Sequence, residues 1–116
     1  MLVSKEFTFD SAHFLTKYHG KCENLHGHTY RLRVTVSGPV GEEGMVVDFK
    51  ELKAVVKEKV VDKYDHQNLN DFFENSTAEL VAMKIWEDLV GAVSGAKLVE
   101  VVLWETADSF VTYRGE

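Results

Sequence analysis

The sequence contains a single cysteine, Cys22, and a single proline, Pro39, among its 116 residues. One thiol cannot close an intramolecular disulfide, which excludes a small disulfide-stapled secreted scaffold. With one proline and only eight glycines, the chain is neither collagen-like nor a Pro/Gly-rich disordered segment. No uncharged apolar run approaches the roughly 20 residues that a membrane-spanning helix needs. The opening MLVSKEFTFD carries charged and polar residues where a signal peptide would have its apolar region, so a cytoplasmic protein that stays out of the membrane is expected. Positive charge is also in deficit: 13 Lys and Arg against 19 Asp and Glu give a net charge of −6. That balance argues against broad binding to nucleic acid or to an anionic membrane but leaves room for a local cationic pocket. A small-molecule partner is expected.

What is present is an ordinary globular composition, 45% hydrophobic and 28% charged, at a length that suits one domain spanning residues 1–116. Val3 to Phe9 alternates, with Val3, Lys5, Phe7 and Phe9 at one parity and Ser4, Glu6 and Thr8 at the other, the two-residue period of a half-buried strand. The period returns from His26 to Val36, with His26, His28, Tyr30, Leu32, Val34 and Val36 sharing one face. A polar excursion, Thr16 to Asn24, separates these strands, and Ser37-Gly38-Pro39-Val40-Gly41 ends the second. Asp48 caps an amphipathic helix carrying Phe49, Leu52, Val55, Val56 and Val60 and ending near Tyr64. Ser76-Thr77-Ala78-Glu79 reads as a capping box opening a second helix that runs to Gly91. Leu98 to Trp104 is almost wholly apolar, hence a strand buried on both faces, and Phe110 to Tyr113 alternates. The order ββααββ predicts an α+β fold in which two helices cover one face of a four-stranded antiparallel sheet. Its edges and other face need a partner, and oligomerisation through the sheet supplies one.

Three of the five histidines fall close together, His13 after the first strand and His26 and His28 at the start of the second. Residues two apart on a strand project from the same face about 6.5 to 7 Å apart, so two imidazoles can converge on one ion and His13 is placed to supply a third. Three nitrogen ligands with an open fourth position are the arrangement of a catalytic zinc. Otherwise His-Gly-His is a pair of hydrogen-bonding side chains at a strand end. Cys22, flanked by Lys21, Glu23 and Asn24, reads as a functional thiol, either a base or nucleophile beside the metal or a fourth ligand. Asp65-His66 offers a carboxylate to orient an imidazole, or serves as a helix end. Glu105, after the apolar strand, is a solvated strand end or a buried anchor able to grip the donors of a flat heterocycle. Lys17, Lys21, Arg31, Arg33 and Arg114 could cradle phosphates, although each taken singly reads as a surface charge.

Taken in order, Phe9-x-x-Ala12-His13, Cys22-x-x-x-His26-Gly27-His28, Asp65-His66-x-x-Leu69-Asn70, Thr77-x-Glu79, Glu105-Thr106 and Tyr113-Arg114-Gly115-Glu116 resemble the 6-pyruvoyltetrahydropterin synthase and 6-carboxytetrahydropterin synthase family across practically the whole chain. The resemblance implies a tunnelling fold (T-fold) whose subunits join sheets into a trimeric barrel, two trimers stacking into a homohexamer. It implies that His13, His26 and His28 hold Zn2+, that Cys22 is the catalytic thiol, that Asp65 and His66 complete a triad from an adjacent subunit, and that Glu105 anchors the pterin ring with Thr77 and Glu79 nearby. The implied substrate is 7,8-dihydroneopterin triphosphate. Three residues between Cys22 and His26 resemble the bacterial 6-carboxytetrahydropterin synthases of the queuosine pathway more than the animal pyruvoyl enzymes. Glu23, however, gives Glu-x-x-His-Gly-His, which resembles relatives that make 6-hydroxymethyl-7,8-dihydropterin for folate synthesis, and it reads alternatively as an ordinary loop carboxylate. Ala78 stands where some relatives have Ser or Thr. A zinc-stabilised pterin-binding module without turnover is the reading from a different class.

Overall fold

The computed structural model describes all 116 residues. Strand β1 (Leu2–His13) pairs antiparallel with β2 (His26–Ser37) along its whole length, from Leu2 opposite Ser37 to His13 opposite His26. The helical segment that follows consists of α1 (Phe49–Val56), a π-helical turn (Lys57–Val61) and α2 (Asp62–Tyr64). Next come β3 (Gln67–Asn68), a 3-10 turn (Leu69–Asp71), α3 (Ala78–Leu89), β4 (Lys97–Trp104) and β5 (Phe110–Tyr113). The sheet has five strands in the order β3-β1-β2-β4-β5.

The α+β class and the ββααββ order stand, with two corrections. The sheet is not four-stranded and purely antiparallel, because Gln67 and Asn68 add a short parallel strand against Ser11 and Ala12 of β1. Two residues are too few to show any period, so this strand exists only through its hydrogen bonds to β1. The first strand also runs on past Phe9, so that His13 is its last residue rather than a loop residue beyond it.

The helices close one face of the sheet. Tyr30, Leu32, Val34 and Val36 of β2 and Val101 and Leu103 of β4 pack in one core with Leu52, Val56 and Val60 and with Val81, Ala82, Ile85 and Leu89 of α3. The alternation seen in β2 is therefore the alternation between core and opposite face. Asp48 caps α1 as its position indicates, accepting from Lys50 N at 2.8 Å. At α3 the cap is Thr77, whose hydroxyl accepts from Leu80 N at 3.2 Å. The capping box from Ser76 to Glu79 does not form, because Ser76 is fully buried and hydrogen-bonded elsewhere. The helix ends before Gly91, whose φ of 74° is the left-handed conformation that glycine adopts readily.

Candidate functional site

The pairing of β1 with β2 brings the histidines together. His13 lies opposite His26, and Ser11 lies opposite His28. The three imidazole centroids are 4.6 Å (His13 to His26), 5.0 Å (His13 to His28) and 4.8 Å (His26 to His28) apart. One possible ligand atom from each lies within 4.8 Å of the others.

The ring orientations follow from their hydrogen bonds. His13 Nδ1 lies 2.9 Å from the carbonyl oxygen of Ser76, and His26 Nδ1 lies 2.9 Å from that of Asn24. A carbonyl only accepts, so each Nδ1 carries the proton and each Nε2 keeps its lone pair for a ligand. Nε2 of His13 and of His28 are buried without a hydrogen-bond partner. Buried polar nitrogens are rarely left unpaired, and three nitrogen donors with two tautomers set by carbonyls suit zinc. The residues present therefore fit the ion.

The His13 support is longer than its one carbonyl. Ser76 Oγ donates to Asn70 Oδ1 at 2.9 Å. Asn70 in turn accepts from Phe14 N and donates through Nδ2 to Phe14 O, both at 2.9 Å. Ser76 and Asn70 thus tie the end of β1 to the loop before α3. Ser76 as an orienting residue was missed in the sequence because a Ser before a helix reads first as a cap.

Glu105, just beyond β4, has Oε1 3.3 Å from His28 Nε2, a close approach without the alignment of a hydrogen bond. It also lines a cleft of roughly 210 Å³ with Ala78, Glu79, Ser109 and Phe110. Glu105 is thus neither remote nor simply solvated; it stands between the imidazoles and that cleft. Glu79 lines the cleft beside it, while Thr77 serves as the α3 cap. Burial holds the His28 imidazole pKa below its usual value, opposed by the Glu105 carboxylate and reinforced by the two neighbouring histidines. A neutral imidazole is the form that binds metal.

Cys22 is exposed and lines a different cleft with Glu23, Asn24, His26, His19 and Lys21. This cleft is walled by the Thr16 to Asn24 excursion, which turns back on itself through a single bridge between Tyr18 and Lys21. Tyr18 and Lys21 exchange backbone hydrogen bonds of 2.8 and 2.9 Å around a turn in which His19 and Gly20 have φ of 50° and 79°. Cys22 Sγ is 3.7 Å from Thr16 O. Glu23 is half-buried, its Oε1 accepting from Leu15 N at 3.0 Å and its own N–H donating to Leu15 O at 2.8 Å.

Asp65 and His66 do not diverge, although they are neighbours in sequence. Asp65 Oδ2 is 3.0 Å from His66 Nδ1. His66 has a φ of 60°, which a β-carbon disfavours, and its N–H donates to Asp10 O at 2.6 Å. Asp10 completes the brace, donating its own N–H to Asp65 Oδ1 at 2.9 Å and accepting from Thr29 Oγ1. The backbone hydrogen bond from Asp10 is the first cause that holds the Asp65 carboxyl below its usual pKa, and His66 adds to it. His66 lines a cleft with Asp10, Gly27, His28, Thr29 and Gln67, apart from the Cys22 cleft. Within one chain, then, Cys22 and the Asp65–His66 pair are not brought together.

These features define a class: a small α+β domain with helices on one face of an antiparallel-dominated sheet, and a cluster of three histidines where its first two strands meet. Residues 2–116 match the family described as 6-pyruvoyl tetrahydropterin synthase, and the chain belongs to that family of enzymes. It is 39% identical to the 6-pyruvoyl tetrahydrobiopterin synthase of Dictyostelium discoideum, covering 100% of this chain and 97% of that protein. It is 41% identical to the 6-carboxy-5,6,7,8-tetrahydropterin synthase of Synechocystis, with 97% and 92% covered. Among solved structures, the 6-pyruvoyl tetrahydropterin synthase of Caenorhabditis elegans superposes with a TM-score of 0.87 at 32% identity, covering 100% of this chain and 96% of that one. The T-fold assignment rests on that superposition.

Proposed function

We propose that the protein is a zinc-dependent carbon–oxygen lyase that converts 7,8-dihydroneopterin triphosphate and one water to 6-carboxy-5,6,7,8-tetrahydropterin, acetaldehyde and triphosphate. The observation that carries the reading is the trio His13, His26 and His28, in which the buried Nε2 atoms of His13 and His28 make no hydrogen bond and His26 lines a cleft with Cys22. Zinc held by these imidazoles would supply a Lewis acid that acidifies the C–H bonds of a hydroxylated side chain. Cys22, as thiolate, removes a proton from that side chain. Glu105 accepts from the ring N–H and amino donors of the pterin, in the cleft it shares with Glu79. Thr77 caps the helix whose first residues, Ala78 and Glu79, line that cleft. His66, oriented by Asp65, holds and returns protons.

Because Cys22 and His66 line separate clefts of one chain, the working triad pairs Cys22 of one subunit with Asp65 and His66 of the next, as in a homohexamer of two stacked trimeric barrels. The relatives carry either the pyruvoyl or the carboxy name at 36–41% identity, so overall similarity leaves the product open. The three-residue gap between Cys22 and His26 resembles that of the 6-carboxytetrahydropterin synthases, and on that resemblance the carboxy product is the one proposed. Formation of 6-pyruvoyltetrahydropterin by the same groups is the nearest variant.

A second reading is favoured by Glu23, which lines the same cleft as Cys22 and His26. With Glu23 as the base, the same substrate gives 6-hydroxymethyl-7,8-dihydropterin. Against it stands the bond from Leu15 N, which gives the carboxylate a structural use.

The test is incubation of zinc-loaded protein with 7,8-dihydroneopterin triphosphate and mass spectrometry of the products, for wild type, Cys22→Ala and Glu23→Ala. The expected result is the carboxy product, reduced by about 10²- to 10⁴-fold in Cys22→Ala with zinc content unchanged. Loss of zinc in Cys22→Ala would make the thiol a ligand instead of a base. A hydroxymethyl product that vanishes with Glu23→Ala would transfer the protein to the second reading. Zinc and pterin bound without turnover in any variant would leave a binding module.

A further inference from the structure

His13 is the last residue of β1, a place where a strand ordinarily frays, yet it is only 1% exposed. One side chain holds it from two directions. Asn70, in the 3-10 turn after β3, acts on Phe14, the residue that follows His13, as a further ladder partner would. Its Oδ1 accepts from Phe14 N and its Nδ2 donates to Phe14 O, both at 2.9 Å. The amide has one orientation here. Phe14 N–H can only donate, while the carbonyls of Phe14 and of Glu74, the latter 3.5 Å from Nδ2, can only accept. Asn70 is fixed in turn by its own N–H, which donates to Asn68 Oδ1 at 3.0 Å.

The second direction runs through Ser76, which is fully buried. Its hydroxyl lies 2.9 Å from Asn70 Oδ1 and 3.2 Å from Phe14 O, and Phe14 O already has the Asn70 Nδ2 donor. A hydroxyl has one proton, so once that is given to Asn70 its oxygen meets His13 Nδ1, 3.3 Å away, as an acceptor. Both oxygens of Ser76, the carbonyl at 2.9 Å and the hydroxyl at 3.3 Å, thus face the Nδ1–H of His13 and leave Nε2 as its free nitrogen.

We infer that Asn70 is a positioning residue for the metal site: its amide fixes the backbone next to His13 and, through Ser76, the direction and tautomer of the His13 ring. The inference rests on the reading of the histidine trio as a metal site. It goes beyond that reading by giving control of metal affinity to a side chain that is not a ligand. Partners of this kind commonly set affinity because they decide how much of a ligand's freedom is already lost before the ion arrives.

The test measures zinc affinity by competition with a chelating indicator, and the visible spectrum of the Co2+-substituted protein. Wild type, Asn70→Ala, Ser76→Ala and Ile85→Ala are compared at a temperature where circular dichroism shows each to be folded. Asn70→Ala and Ser76→Ala are expected to bind zinc about 10- to 100-fold more weakly, with altered Co2+ bands. Ile85→Ala, which removes buried core volume, is expected to lose stability and keep wild-type zinc affinity and spectrum. Wild-type affinity in Asn70→Ala or in Ser76→Ala, or an equal loss in Ile85→Ala, would overturn the inference by reducing the amide to a tie between loops. Should Asn70→Ala not fold, Ser76→Ala decides alone, since it removes the hydroxyl and keeps the carbonyl. Wild type that binds no zinc would instead overturn the metal reading, and this inference with it.

Discussion

At the scale of single residues, the site is a set of side chains whose protonation and direction are decided by backbone groups. The Ser76 and Asn24 carbonyls set the tautomers of His13 and His26, and the Asp10 N–H stabilises the Asp65 carboxylate. Asp65 has a folded pKa below its unfolded value, so its contribution to stability is fully present above the unfolded value near ~3.9 and is lost as pH falls through the depressed folded value. Carbon-detected NMR of the Asp65 carboxyl across this acid range is expected to give a midpoint below that of an unfolded aspartate; a midpoint at or above it would remove the Asp10 brace from the account. The three histidines and Cys22 were readable because strand alternation and short spacing are local properties. Asp10, Thr29, Ser76 and Asn70 were not assigned these roles, since their partners lie 19 to 63 residues away in sequence and are chosen by packing.

At the scale of elements, α3 links the core to the site. Its Val81, Ala82, Ile85 and Leu89 are buried against the sheet, while Thr77 at its start follows Ser76, the support of His13. Ile85→Ala in the metal-free protein is expected to lower unfolding free energy by about 2–5 kcal/mol through lost burial and a cavity. Thr77→Ala, which removes the cap from Leu80 N, is expected to cost about 1 kcal/mol. Urea denaturation checks both, and a Thr77→Ala loss as large as that of Ile85→Ala would mean that the hydroxyl does more than cap the helix. The helix positions were legible from the spacing of apolar residues. The cap moved by one residue because His13 and Asn70 claim Ser76, and β3 escaped detection because two residues carry no periodicity.

At the scale of the whole molecule, the chain is elongated. Its radius of gyration is 15.1 Å, where a compact domain of this length would have about 13 to 14 Å. The outer edge of β1 is paired only at Ser11 and Ala12, and β5 is the last strand on the other side. The sheet face opposite the helices carries Trp104 under Arg31 and Arg33, whose guanidinium carbons lie 4.0 and 5.1 Å from its ring. Unpaired edges recruit strands from other chains unless they are blocked, and closure into a barrel satisfies both at once. Sedimentation at micromolar concentration is expected to show an assembly of several subunits. A monomer that turns over substrate would end the two-chain triad.

The sequence by itself determined the order of the long strands and helices, the face of β2 that enters the core and the grouping of His13, His26 and His28, because alternation and helical spacing are written locally. Only the tertiary structure decided that Asp65 meets His66, that Glu105 stands beside His28, that Ser76 serves a histidine before a helix, and that Cys22 and His66 line separate clefts. Those contacts depend on the register of distant strands and on where loops close over the core, which no short stretch of chain encodes.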